Sequence, residues 1–220
     1  MSNKDTEAVI LSAVRTPSGS FQGGFCSLTA VDLGAWVVKA AVERANLPNP
    51  ADIKEVIMGN VVSAGLGQNP ARQAAIHAGL PVSVGAFTIN KVCGSALKAA
   101  MLAAQAIRAG DGDLFVAGGM ESMSRAPFLV DGRTGSLRFG HAQLTDALLK
   151  DGLWCALENW SMGDAAEFIA NEYHVTREAM DEFAYQSQLK ACKPARTPSV
   201  RSVAGILGKP PSSPWKPISA

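Results

Sequence analysis

The stretch Thr88-Ile89-Asn90-Lys91-Val92-Cys93-Gly94-Ser95-Ala96-Leu97-Lys98-Ala99-Ala100-Met101-Leu102-Ala103-Ala104-Gln105-Ala106-Ile107-Arg108-Ala109-Gly110 decides how this chain is read. A short β-type run from Phe87 to Val92 meets Cys93. An alanine-rich segment of strong helix propensity follows, and Gly110 stands where a left-handed cap is expected. Cys93 is therefore expected at a strand-to-helix turn, at the N-terminus of the helix. Unpaired backbone N–H groups at such an end favour an anion and draw a thiol toward its thiolate. Gly94, Ser95 and Ala96 keep the first turn small, so a substrate can reach the sulfur. On local pattern alone a second reading stands beside this one, because a lone cysteine after an apolar strand is also a small buried hydrophobe.

The neighbouring segments extend the pattern. Upstream, Ala8 to Val14 has strand length and ends at Arg15-Thr16-Pro17. Thr29 opens a helix, with Asp32 as its capping-box partner. Leu33, Trp36, Val37, Ala40 and Ala41 are expected to form its apolar face. A second strand is expected over 56–62, a short helix from Asn69-Pro70 to about Gly79, and a third strand over 85–92. Downstream of the Cys93 helix, Leu114 to Ala117 is a fourth strand, ended by Gly118-Gly119. Strand and helix alternate, which predicts an α/β fold with a mainly parallel sheet and packed helices. Ligands of such sheets bind at the carboxyl ends of the strands, where both Cys93 and the Gly118-Gly119-Met120-Glu121 turn are expected.

From about Ser124 to Trp160 the periodicity dissolves around four glycines, Gly132, Gly135, Gly140 and Gly152. Two helices are expected after it, one capped by Ser161 with Asp164 at the box position, one capped by Thr176 and running to about Cys192. Residues 193–220 then hold six of the chain's twelve prolines, five basic residues and no acid. Such composition predicts a disordered or out-of-frame tail.

The totals exclude several classes. A net charge of +1 argues against nucleic acid or an anionic membrane as a partner. The apolar runs are too interrupted to span a bilayer. Met1 to Glu7 lacks the apolar stretch of a signal peptide, which makes the cytoplasm the expected compartment. The four cysteines, Cys26, Cys93, Cys155 and Cys192, show no paired spacing, so neither a metal site nor a disulfide framework is expected.

Four segments resemble the thiolase family, in the family's order: VILSAVRTPSGSF, GQNPARQAAIHAGLP, VCGSALKA and VAGGMESMSRAP. The resemblance runs from about Ala8 to about Ala191. It implies a layered α/β fold in three parts: a thiolase N-terminal core over 1–119, the beginning of an inserted loop domain that covers coenzyme A over 120–192, and the tail over 193–220. It implies acyl transfer between coenzyme A thioesters, forming or cleaving a 3-ketoacyl-CoA through an acyl-cysteine on Cys93, with no further cofactor. Acyl-CoA and free coenzyme A would be the partners, and the complete enzyme a homodimer or homotetramer. By motif match Leu153 would touch pantetheine, and Met162 would line the acyl pocket. Position 161, often histidine in acetoacetyl-specific relatives, carries Ser161 here. Gln68, Asn69 and Arg72 would lie near a subunit contact, and Glu121 and Ser122 would brace the Cys93 turn.

The family's activating histidine, second cysteine and water-holding asparagine belong to motifs that do not occur in this sequence. His77, His141 and His174 match none of them. A truncated, inactive thiolase fragment with at most an oligomerisation role is therefore the alternative reading. A ketoacyl synthase would share the fold but is not expected to carry GGMESMS. A cysteine hydrolase would need a histidine partner for Cys93 that nothing nominates.

Overall fold

A computed structural model describes residues 7–133, 137–192 and 204–208. They divide into two compact units, Met1–Ala147 with Val200–Ala220, and Leu148–Ser199.

The first unit is built on a five-stranded sheet. Its strands are β1 (Val9–Val14), β2 (Glu55–Gly59), β3 (Gly85–Ile89), β4 (Leu114–Gly119) and β9 (Ala204–Gly208), in the order β1-β9-β4-β2-β3. The pairs β2–β3 and β2–β4 are parallel, whereas β9 runs antiparallel to both β1 and β4. Helices α1 (Ala30–Ala45) and α2 (Pro70–His77) cover one face, and α3 (Ser95–Ala109) covers the other. The alternation of the strands sorts residues between the two layers. Val56, Met58, Val116 and Ile206 join the core under α1 and α2. Ile57, Phe115, Ala117 and Leu207 join the core under α3. Strands covered on both faces read as continuous apolar runs, which is why Val56-Ile57-Met58 and Phe115-Val116-Ala117 show no polar alternation.

The caps follow the sequence closely. Thr29 Oγ1 accepts from the Asp32 amide at 3.1 Å, and the Thr29 amide donates to Asp32 Oδ2 at 2.9 Å, completing the expected capping box. Asn69 caps α2, and Gly110 closes α3 at φ 83°. The buried stripe of α1 differs from the expected one. It comprises Ala30, Val31, Gly34, Ala35, Val37, Val38 and Ala41, while Trp36 is 52 % exposed. Small residues win this face because α1 packs directly against α2, where only short side chains fit between helix axes.

The strands are shorter than their apolar runs. β2 stops at Gly59 and β3 at Ile89, because Asn60 and Asn90 turn the chain out of the sheet.

Residues 193–220 give the main departure from expectation. Their composition predicts disorder, yet Ala204–Gly208 pairs on both sides within the sheet and buries Ile206 and Leu207. The cause is local: five apolar and small residues between charged and proline-rich flanks satisfy a strand, although the tail as a whole has the composition of a linker. The rest of that tail lies outside the described residues. The segment 120–147, expected with the excursion, stays in the first unit through the pair β5 (Phe128–Leu129) and β6 (Thr145–Asp146) and through the buried Ala147.

The second unit holds a π-helical turn (Leu148–Leu153), a hairpin of β7 (Trp154–Cys155) and β8 (Trp160–Ser161), and helices α4 (Met162–Glu172) and α5 (Arg177–Cys192). The expected caps are present: Ser161 forms a capping box with Asp164, and Thr176 Oγ1 accepts from the Ala179 amide at 3.2 Å. Among the described residues no helix is long and apolar enough to cross a membrane.

Two outcomes follow. Ile206→Ala empties a fully buried site in the sheet and should lower stability by about 2–5 kcal/mol in urea unfolding. The second concerns Asp32, whose carboxyl is held below its usual 3.8 by the Thr29 hydroxyl and then by the Thr29 amide. Its folded pKa is depressed, so the stability it adds is complete above the unfolded value and lost as pH falls through the folded one. Unfolding measured below about pH 4 should therefore show a shallower acid loss in Asp32→Asn than in the parent chain.

Candidate active site

Cys93 lies between the end of β3 at Ile89 and the start of α3 at Ser95, and it is exposed. The buried-hydrophobe reading of this cysteine is thereby set aside. The turn that carries it is tight. The Gly94 amide donates to the Lys91 carbonyl at 3.0 Å, and the Ser95 amide to the Val92 carbonyl at 3.1 Å. The Val92 amide donates to Asn90 Oδ1 at 2.9 Å. Val92 itself takes a φ of 47°, a value that β-branched residues almost never adopt. The N-cap of α3 is Gly94, which offers no side-chain acceptor to the first-turn amides. No side chain caps the amide end of the helix next to the sulfur, although the Gly94 and Ser95 amides, expected to be unpaired, are taken up in closing the turn.

What fixes the turn in space is the contact of α3 with the ends of β2 and β4. A Cβ on Gly59 would stand 2.5 Å from the Ser95 Cβ and 2.8 Å from its carbonyl carbon. A Cβ on Gly119 would stand 2.9 Å from the Ala96 Cβ. Both strands therefore end in a residue without a side chain, and the first turn of α3 rests directly on their backbone.

A buried polar knot locks those strand ends together. Glu121 Oε1 accepts from Asn60 Nδ2 at 2.8 Å, and Glu121 Oε2 accepts from the Val61 and Val62 amides at 2.9 and 3.2 Å. Asn60 Nδ2 also donates to the Met120 carbonyl at 3.1 Å. Ser122 Oγ donates to the Leu28 carbonyl at 2.7 Å, tying in the loop before α1. Glu121 is thus occupied by three N–H groups, as suits a brace and not a base. Asn60 escaped the sequence reading, although a polar residue directly after the buried run Val56–Gly59 was the available signal.

The other singled-out residues lie in the second unit. Leu153 ends the π-helical turn and Met162 begins α4. The register Trp154↔Ser161 brings these two to the same end of the β7–β8 hairpin, and both are partly exposed. The Ser161 hydroxyl accepts from the Asp164 amide at 3.1 Å and donates to Asp164 Oδ2 at 2.8 Å. The hydroxyl's bond to Oδ2, and after it the bond that the Ser161 amide donates to the same oxygen at 3.1 Å, hold the Asp164 carboxyl below its usual range, and the hydroxyl is engaged in capping. Gln68, Asn69 and Arg72 act locally. Arg72 donates to the Val82 and Val84 carbonyls, Asn69 Nδ2 to Ala86, and Gln73 Nε2 to the Gln68 carbonyl. His77 and His141 are exposed, and His174 sits past the end of α4 at φ 53°. Among the described residues no imidazole is hydrogen-bonded to Cys93, and no cluster of three or more His, Cys, Asp or Glu side chains is placed to hold a metal ion.

Comparison with known proteins gives a consistent picture. The family model "Thiolase, N-terminal domain" matches residues 8–199. The acetyl-CoA acetyltransferase of Cupriavidus necator is 56 % identical over 186 residues, covering 84 % of this chain and 47 % of that protein. The acetyl-CoA acetyltransferase of Escherichia coli is 56 % identical over 184 residues, covering 83 % of this chain and 46 % of that one. The crystal structure of the Ascaris suum thiolase Acat5 in complex with coenzyme A superposes with a TM-score of 0.77 at 37 % identity, over 92 % of this chain and 66 % of that one. The chain spans about half the length of the curated relatives it matches.

The seating of α3 is open to a direct check. Gly59→Ala should destabilise the chain by about 1–3 kcal/mol in urea unfolding, because the added methyl meets Ser95. Gly24→Ala, where an added Cβ meets nothing within 4 Å, should stay within about 0.5 kcal/mol.

Proposed function

The chain belongs to the thiolase family, and on that premise we propose that Cys93 is an acyl-accepting nucleophile that takes an acetyl group from acetyl-CoA. The observation that carries this reading is the exposed thiol at the uncapped N-terminus of α3, held on the glycine ends of β2 and β4.

The chemistry runs as follows. The Cys93 thiolate attacks the thioester carbonyl carbon, and a new C–S bond forms. The carbonyl oxygen gathers negative charge, for which the backbone N–H of Cys93 at the helix start is a donor. The tetrahedral species collapses and the coenzyme A thiolate leaves. Transfer between two thioesters is nearly balanced in energy, so the step is reversible. A second acetyl-CoA, deprotonated at its α carbon, then attacks the acyl carbon of the acyl-cysteine; the new C–C bond forms, the bond to the Cys93 sulfur breaks, and acetoacetyl-CoA and the free Cys93 thiolate result. In the reverse direction coenzyme A cleaves a 3-ketoacyl-CoA, a degradative step of fatty acid metabolism.

Leu153 and Met162, at one end of their hairpin, are read as contacts to pantetheine and to the acyl group. Ser161 is read as the cap that seats Met162, since its hydroxyl is engaged with Asp164. Coenzyme A thioesters are the substrates, in keeping with the coenzyme A complex of the Ascaris suum thiolase, and the complete enzyme is read as a cytoplasmic homo-oligomer. The proton-transfer groups of the condensation step fall, by the family pattern, in the half of the relatives that this chain does not span. The chain's own residues therefore support acyl loading. The second reading, a fragment without activity, rests on that same partial span.

Intact-mass spectrometry after exposure to acetyl-CoA decides between them. One acetyl adduct, absent from Cys93→Ala, is the expected result. A folded, soluble chain that takes up no acetyl group would leave the inactive-fragment reading standing.

A further inference from the structure

Val92 is the strained residue of the site. Its φ of 47° is accompanied by 51 % exposure, so burial of its side chain does little to compensate the backbone. The bonds around it show what holds it. Ser95 Oγ accepts from the Lys91 amide at 2.9 Å, on the near side of Val92. The same hydroxyl donates to the Val92 carbonyl at 2.6 Å, on the far side. The Ser95 amide donates to that carbonyl as well, at 3.1 Å. Ser95 is 5 % exposed, and its Cβ is pressed against Gly59 at the end of β2. A single buried hydroxyl, anchored to the sheet, therefore ties the peptide group that precedes Lys91 to the one that follows Val92, closing a two-residue turn around the strained residue that immediately precedes the sulfur.

We infer that Ser95 is a positioning residue for Cys93. It holds Val92 at positive φ, and that conformation sets Cys93 at the amide end of α3. The inference deepens the nucleophile reading given above and rests on it, but it concerns the posture of the thiol and not the identity of the acyl donor. It also assigns the strain at Val92 a use: a residue that any extended strand would accept is bent back so that the chain enters α3 directly after the cysteine. Alanine at position 95 would keep the backbone bond from the Ser95 amide but lose both hydroxyl bonds, releasing the turn toward an ordinary extended Val92.

Iodoacetamide alkylation, followed at peptide level by mass spectrometry, reads this without any acetyl-CoA. Cys26, exposed and distant in sequence, is the internal reference. In Ser95→Ala the Cys93 alkylation rate should fall about tenfold while the Cys26 rate and far-UV circular dichroism stay unchanged. In the V92G background, where positive φ carries no side-chain penalty, the same S95A substitution should cost less than about threefold. That rescue separates positioning from a general loss of packing. A Cys93 rate that is unchanged or faster in S95A overturns the inference, as does an undiminished loss in V92G. Should S95A alone fail to fold, the double variant V92G/S95A decides: a folded chain with a reactive Cys93 supports the inference, and an unfolded one overturns it. If the parent chain takes no acetyl group yet shows this alkylation pattern, acyl loading fails while the role of Ser95 stands.

Discussion

The first turn of α3 lies against the bare backbone of two strand ends, and the rest of the site depends on that approach. Neither Gly59 nor Gly119 has space for a methyl group, since Ser95 and Ala96 already fill it. The distance between helix and sheet is therefore set by backbone and not by the adjustable length of side chains. Everything placed on that turn inherits its precision. Cys93 gains a fixed height above the sheet, and Ser95 gains an anchored Cβ from which its hydroxyl reaches the Lys91 amide and the Val92 carbonyl. Glu121 and Asn60 do the complementary work below, clamping the strand ends so that the seat does not spread.

A division of labour results between charge and strain. Glu121 carries a carboxylate at the carboxyl end of the sheet, close in the chain to the Gly118-Gly119 turn, yet its oxygens are engaged by Asn60, Val61 and Val62. Its carboxylate is engaged in structure, as expected of a half-buried polar group with satisfied partners. The unfavourable conformation is confined to one residue, Val92, and is held by a hydroxyl that itself carries no charge. A cysteine turn built this way can be rigid without placing a formal negative charge in direct contact with the thiol.

Much of this was legible in the sequence, and the limits have physical causes. The strand–helix alternation, the Thr29 and Ser161 capping boxes, the Asn69 cap and the Gly110 cap rest on short-range rules, and each is found where those rules put it. The exposed face of α1 was misplaced because Trp36 outweighs alanine in hydrophobicity, whereas helix-to-helix distance selects for alanine and glycine. The posture of Val92 was invisible, because valine's own preference opposes it and the Ser95 and Asn90 bonds that surround it show only in the folded turn. Strand β9 was hidden by its surroundings: averaging over a proline-rich, basic tail erased a five-residue apolar segment whose partners lie far away in the chain. Leu153 and Met162 flank the Trp154↔Ser161 pair at one end of the hairpin, a pairing that the loop's glycines gave no means of anticipating.

The position of β9 has a consequence for the order in which this molecule is made. Strand β1 is synthesised before β4, and β4 before β9, but β1 and β4 are not neighbours in the sheet. The strand between them comes from residues 204–208, so Val9 waits for Gly208 before its pairing is complete. A ribosome elongating this chain at about 5–20 residues per second holds one edge of β4 unpaired for about 4–17 seconds and β1 for about 10–40 seconds, with their backbone groups open to any passing strand. Slower elongation prolongs that exposure, so the speed of translation sets how long these open edges are available to a wrong partner. The sulfur-bearing turn escapes this delay, because β2, β3, α3 and β4 lie within one continuous stretch and pair among themselves.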